Sequence, residues 1–254
     1  MINKEKIEFS PEKRERGKNI HLKISFHRHA EKTSEGQLSE IGFAKAKKAG
    51  KEKEIAKDGI KIYTSPFQRT KDTVEQIIKG IEEQNEKHKI FNTRVRLELA
   101  PPEWEHFDAI REKDKEIEAK TGTQTDLVKY ILSEPLHQKD LEHWTSGLAF
   151  LVDQYRKMTD RLYSNSDIEL MHITHDIVIA DFLRKVVVLR DEKGERIDLG
   201  NLDVIGGTIK PFEGFSFEIF SEEKGKKDNK IIFRNKEFEV DEEKLKELVN
   251  RFKE

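Results

Sequence analysis

The chain contains no cysteine, which removes disulfides, thiolate metal sites and a cysteine nucleophile together. It has little net charge: 48 Lys+Arg set against 50 Asp+Glu leave −2, so bulk electrostatics gives no case for attraction to nucleic acid or to a membrane. No segment reaches membrane-spanning length, and the first twenty residues, MINKEKIEFSPEKRERGKNI, lack the apolar stretch of a secretory signal. A soluble, cytoplasmic protein is the expectation. Internal repeats and strongly biased tracts are missing too. Charge itself is abundant, at 39% of 254 residues beside 35% hydrophobic. That leaves enough apolar material for a core and assigns the ions to solvated helix faces.

Hydrophobic periodicity lays out the elements. Residues 1–19 read as a loose polar arm. Ile24 and Phe26 alternate within a first strand at about 21–27. Ser39 is placed to cap a helix whose Gly42, Ala46, Ala49 and Ala56 share a face, small enough to lie close to a sheet. A second strand follows at 60–63. Ser65-Pro66 reads as N-cap and N1 of a second helix, with Val74, Ile77, Ile78 and Ile81 as its buried stripe. A third strand is predicted over 93–99. Residues 103–165 hold no convincing strand and read as helices, the best at 141–162. A fourth strand at 168–173, a helix after it, a hairpin of 214–220 with 230–233 and a helix at 241–253 complete the chain. Alternating strands and helices predict one α/β domain over 1–254, a three-layer sandwich whose mostly parallel central sheet has helices on both faces and an antiparallel edge. The helical insertion at about 103–165 is expected over the strand C-terminal ends, shaping access to them as a partial lid.

Three segments place chemistry where strands give way to loops. They are Arg28-His29-Ala30-Glu31-Lys32, then Ser65-Pro66-Phe67-Gln68-Arg69, then His172-Ile173-Thr174-His175-Asp176. Two arginines and two histidines at strand ends suit a phosphoryl group. A planar guanidinium donates in a fork to phosphate oxygens, and a neutral imidazole is a good nucleophile. His21, His88, His137 and His143 have no comparable context.

Arg28-His29, Leu38-Ser39-x-x-Gly42, Ser65-Pro66-x-x-Arg69 and His175 occur in that order between about residues 22 and 180. In this the sequence resembles the histidine phosphatase superfamily, the fold shared by cofactor-dependent phosphoglycerate mutases and many phosphomonoesterases. The resemblance implies that His29 is the nucleophile and becomes a phosphohistidine, with Arg28, Arg69 and His175 around the transferred group. Ser65 and the start of its helix are expected to add donors to the phosphate. For the general acid the resemblance points to a glutamate soon after the third strand. Glu98, Glu103 and Glu105 are the candidates, and Glu103 is preferred because Trp104 would shield it and raise its pKa. Asp176 is the alternative, since the acid-phosphatase branch draws its proton donor from a His-Asp pair.

The sequence departs from the pattern in several places. Ala30 replaces the glycine common after the nucleophile, Thr174 and Asp176 flank His175, and the tryptophan-asparagine pair of many mutase-like members is missing. The expectation is a metal-independent phosphomonoesterase without cofactor, acting on a small phosphorylated substrate or a phosphoprotein, with neither nucleic acid nor membrane as partner. Substrate identity and oligomeric state are left open. A mutase is the alternative within the family, and a phosphate-binding module without turnover is another. The His27-x-His29 pair also admits a metal-dependent hydrolase with His172, His175 and Asp176 as further ligands. That reading leaves Arg28 and the 65–69 segment unexplained.

Overall fold

A computed structural model describes residues 15–84, 88–101, 107–121, 124–197 and 202–253. The first strand, β1 (Ile20–Arg28), is the seam of the whole sheet. On one side it pairs in parallel with β4 (Asp167–Thr174), which pairs in parallel with β2 (Ile60–Thr64), and that with β3 (Ile90–Val95). On its other side β1 meets β6 (Gly214–Glu223) antiparallel, followed by β7 (Lys226–Phe233) and β8 (Lys236–Val240). A two-residue strand, β5 (Val187–Val188), closes that edge, giving eight strands in the order β3-β2-β4-β1-β6-β7-β8-β5. The parallel half carries the strand ends that matter here.

Burial explains the two halves. In the parallel half both faces are apolar: Leu22, Ile24, Phe26 and Leu170 join the larger core, while Ile60, Ile62, Met171 and Ile173 join the smaller one. Helices α1 (Glu40–Lys51) and α2 (Gln68–Glu82) cover the smaller core. The antiparallel half alternates instead, with Phe215, Phe217 and Ile219 in the core and Glu218 and Phe220 turned outward. One face of such a sheet can meet water. The molecule is therefore three layers deep over its parallel half.

Helices α3 (Phe107–Thr121), α4 (Gln124–Ser133), α5 (Gln138–Met158), α6 (Asp176–Val186) and α7 (Glu242–Lys253) occupy the larger-core side. Within the 103–165 segment, α5 buries Leu141, Trp144, Leu148, Leu151, Val152 and Tyr155 and packs against α6 and α7 as part of that layer. Of the small residues expected on one face, Ala46 is buried in the smaller core with Ile60 and Ile62 of the sheet, and Gly42 lies against the Glu31 backbone. Ala56 falls beyond the end of α1 at Lys51, and Gly50 instead meets a helix. A Cβ on Gly50 would lie 2.1 Å from the Ile77 carbonyl oxygen of α2, and one on Gly80 2.1 Å from that of Lys47. Two backbones touch there.

Several boundaries differ from the periodicity. The third strand stops at Val95, and Leu97–Leu99 forms a 3₁₀ turn. Leu99 is drawn into the core, where its carbonyl accepts from Trp144 Nε1 at 3.3 Å and Thr174 Oγ1 at 3.4 Å. The second helix begins at Gln68 with Phe67 as its cap, not at Ser65. Ser65 directly follows β2, its N–H bonded to the Ile173 carbonyl at 3.2 Å. The hairpin is tighter than predicted, turning between Glu223 and Lys226.

Candidate active site

The C-terminal ends of β1, β2 and β4 lie side by side, so Arg28-His29, Ser65 and His175 leave the sheet at one edge. The His29 N–H continues the ladder to the Thr174 carbonyl at 3.0 Å. Arg69 arrives from the first turn of α2. The four residues singled out by pattern are thereby brought together.

His29 is 4% exposed, and its Nδ1 lies 2.6 Å from the Ala30 carbonyl oxygen. A carbonyl only accepts, so Nδ1 carries the proton and Nε2 the lone pair. Arg69 Nε donates to that lone pair at 3.1 Å. The second arm of the same guanidinium reaches His175 Nδ1, with Nη2 at 3.1 Å. His175 Nδ1 is then the acceptor, and Nε2–H points at Ser65 Oγ, 3.3 Å away. The two imidazoles meet edge to face with centroids 5.3 Å apart. Burial holds the His29 pKa down at about 4; the Ala30 carbonyl and Asp176 oppose this, while Arg69 and Arg28 add to it. His175 lies well below its ordinary value, through burial first and then Arg69, His29, Lys32 and Arg28. Both rings are neutral near pH 7.

Arg28 is held from two sides. Its Nη1 donates to the Ile209 carbonyl at 2.7 Å, and Nη2 pairs with Asp176 Oδ2 at 3.1 Å. Asp176 begins α6, and its other oxygen accepts the Ile177 N–H at 3.0 Å. As an alternative general acid it is thus already engaged twice as an acceptor. Ser65 is fully buried, with Oγ 2.8 Å from Thr70 Oγ1 as well as against His175. Its contacts are with the second histidine and α2. Glu98 sits in the 3₁₀ turn, 3.6 Å from Arg96. Glu103 and Glu105 lie outside the described residues.

The His-x-His reading does not find its ligands converging. His27 Nδ1 bonds to the Phe212 carbonyl at 3.1 Å. His172 is buried against the opposite core, its nitrogens taken by the Tyr155 hydroxyl at 3.0 Å and the Ser25 carbonyl at 3.1 Å. Among the described residues no group of three or more His, Asp or Glu is arranged to hold a metal ion, and no helix among them is long and apolar enough to cross a membrane.

Several supporting residues escaped the sequence reading. Thr73 Oγ1 accepts the Ala30 N–H at 3.2 Å and donates to the Arg69 carbonyl at 2.7 Å, tying the loop after His29 to α2. Phe67 lies under the Arg69 guanidinium at 4.9 Å, a cation–π contact. Phe67 and Trp144 flank the His175 ring, each 5.4 Å away. Thr73 lies one helical turn from Arg69, so the i, i+4 spacing was a usable signal. Trp144 had none.

No family model and no curated protein sequence matches the chain. Solved structures do. A structure described as Mycobacterial hydrolase 2 superposes with a TM-score of 0.53 at 14% identity, covering 91% of this chain and 97% of that one. The native mycobacterial glucosyl-3-phosphoglycerate phosphatase gives 0.52 at 14% identity, covering 84% and 98%. Mycobacterial hydrolase 1 gives 0.50 at 15%, covering 79% and 93%. At such identities the likeness is one of architecture. The chain shares their α/β fold, a mixed sheet with helices around it in the phosphoglycerate mutase-like arrangement.

Proposed function

We propose that this protein is a metal-independent phosphomonoesterase working through a phosphohistidine on His29. The observation that carries the reading is the unprotonated Nε2 of a buried neutral histidine, faced by Arg69 and set beside Arg28 and His175. An incoming phosphate monoester takes over the Arg69 donors from the two imidazoles. Nε2 then attacks phosphorus as the ester P–O bond breaks, and the leaving oxygen takes a proton from a carboxylic acid. We assign that acid to Glu103, with Asp176 as the alternative. In the second half, water attacks phosphorus and the N–P bond breaks. The carboxylate takes the water's proton, and inorganic phosphate leaves. Arg28, Arg69 and His175 stabilise charge on the equatorial oxygens throughout. The substrate class is a small phosphorylated compound or a phosphoprotein. That a mycobacterial protein of this fold acts on glucosyl-3-phosphoglycerate makes phosphorylated sugar acids one family of compounds to screen.

The test is hydrolysis of an aryl phosphate, with and without a strong chelator, by the parent and by His29→Ala. The parent should turn over regardless of chelator, and the variant should lose about three orders of magnitude or more while staying folded. Label from a phosphorylated substrate should be trapped on His29 under non-acidic quench. Label on another residue, or near-parental turnover by the variant, overturns the reading. Leaving groups then identify the acid: Glu103→Gln should cripple alkyl phosphates and spare an activated aryl phosphate. The same pattern in Asp176→Asn instead would move the role there.

A further inference from the structure

Arg28 leaves β1 already bonded to a distant stretch of chain, residues 206–213. Its N–H donates to the Glu213 carbonyl at 2.9 Å and its Nη1 to the Ile209 carbonyl at 2.7 Å. The adjacent His27 holds the Phe212 carbonyl. Phe212 itself has φ of +63°, a conformation that persists in a bulky residue only when its surroundings impose it.

The loop's outer side is gripped by one side chain. Arg234 opens the two-residue turn between β7 and β8, in which it and Asn235 have φ of +51° and +58°. Its guanidinium forms a fork with Glu213, Nε to Oε1 at 2.6 Å and Nη2 to Oε2 at 2.8 Å. The same group donates to the Thr208 carbonyl at 2.8 Å and the Gly207 carbonyl at 3.3 Å. Glu213 Oε2 in turn accepts the Lys210 N–H at 2.8 Å. Both side chains of the fork are 21% exposed, and a bidentate pair of this kind fixes orientation as well as distance. One end of the loop is thus clamped by Arg234 and Glu213, and its inner face supplies the carbonyl that aims Arg28.

We propose that Arg234 and Glu213 are positioning residues for phosphoryl transfer, acting through residues 206–213 to set the direction of the Arg28 guanidinium. The inference rests on the phosphatase reading of the site. Neither residue touches the reacting atoms. Their effect is carried by the Ile209 carbonyl, so it should exist only while Arg28 is there to be aimed.

A double-mutant cycle reads this directly. kcat/KM for an activated aryl phosphate, the inhibition constant of vanadate and the thermal midpoint are measured for the parent, Arg234→Met, Arg28→Met and the double variant. Arg234→Met alone should lower kcat/KM about tenfold and weaken vanadate to a similar degree, and Arg234→Lys should recover part of both. In the Arg28→Met background the same substitution should cost less than about twofold. Equal effects in the two backgrounds would mean that the fork is a staple for the fold, and would overturn the proposal. Should Arg234→Met fail to fold, Glu213→Gln removes the charge while keeping the side chain's shape, and the same comparison decides. A parent protein that neither hydrolyses the ester nor binds vanadate removes the phosphatase reading and this proposal together. Additivity in an active enzyme removes this proposal alone.

Discussion

The protonation of His29 is where the geometry makes its sharpest claim. Burial, reinforced by Arg69 and Arg28, holds the imidazole at about 4 instead of 6.5, a difference of about 3 kcal/mol against the imidazolium. The consequence for a nucleophile shows most clearly at pH 5. An ordinary histidine would be about 3% neutral there, whereas one titrating near 4 is about 90% neutral, a gain of about thirtyfold in competent enzyme. The assay is a nitrogen-15 NMR titration of the ring in the unliganded protein, which reports midpoint and tautomer together. The expected spectrum has the proton on Nδ1, because the Ala30 carbonyl can only accept it, and no midpoint above about 5. Arg69→Met should move the midpoint up, since a repelling cation is lost. Asp176→Asn should move it down, since a carboxylate that favours the imidazolium is lost. In kinetics, kcat/KM corrected for the second ionisation of the ester should keep its acid limb near pH 4. A midpoint near 6.5, or a proton on Nε2, would refute the reasoning.

Four other outcomes follow from the same structure. His29, His172 and His175 all titrate below the unfolded value of 6.5 through burial, so the unfolded chain binds more protons as pH falls. Stability should be full above about pH 6.5 and decline as pH falls, by about 2 kcal/mol at pH 5 for each of His29 and His172, with His175 acting in the same direction; urea midpoints that rise on acidification would contradict this. Arg69→Lys keeps the charge but cannot span His29 Nε2 and His175 Nδ1 with one rigid plane, so aryl phosphate turnover should fall about a hundredfold. Phosphate, vanadate and tungstate should compete with substrate in the parent, and failure of all three would count against the pocket. Finally, Gly80→Ala should gain about 1 kcal/mol of helix propensity yet lose about 3 kcal/mol to overpacking, because its methyl meets the Lys47 backbone at 2.1 Å. A raised thermal midpoint would show that the α1–α2 contact is looser than described.

What could be read in the sequence was what local rules govern. Arg28, His29, Arg69 and His175 stood out because each follows an apolar alternating run or opens a helix, and the sheet brings such ends together wherever the strands are parallel neighbours. What could not be read depended on partners far along the chain. Ser65 looked like a helix cap, but its N–H is claimed by Ile173 and its hydroxyl by Thr70 and His175. Glu98 alternated with Leu97 and Leu99 as a strand residue would, yet Trp144 and Thr174 draw the Leu99 carbonyl inward and the segment turns. The Arg234–Glu213 fork left no trace in spacing. Only the Arg234-Asn235 turn gave a local cue, asparagine being tolerant of the left-handed region that a two-residue hairpin requires. Strand β8, read from Lys-Glu-Phe-Glu-Val, is too charged for hydrophobic alternation to declare it.

The seam at β1 has a consequence for the order in which the molecule is made. Parallel strands deliver their C-terminal ends to the site, but an antiparallel neighbour delivers its beginning, so the loop before β6 arrives at the same edge as the ends of β1, β2 and β4. A chain emerging from the ribosome as far as residue 190 already holds His29, Arg28, Arg69 and His175. It lacks the Ile209 carbonyl that aims Arg28, and β1 is still an unpaired edge on one side. Synthesis must run on through the β7–β8 turn before Arg234 can grip the loop. The segment from residue 206 to the β7–β8 turn is therefore no appendage: it completes the candidate site from the antiparallel side of β1, and the centre of the nascent molecule stays incomplete until that turn has been made.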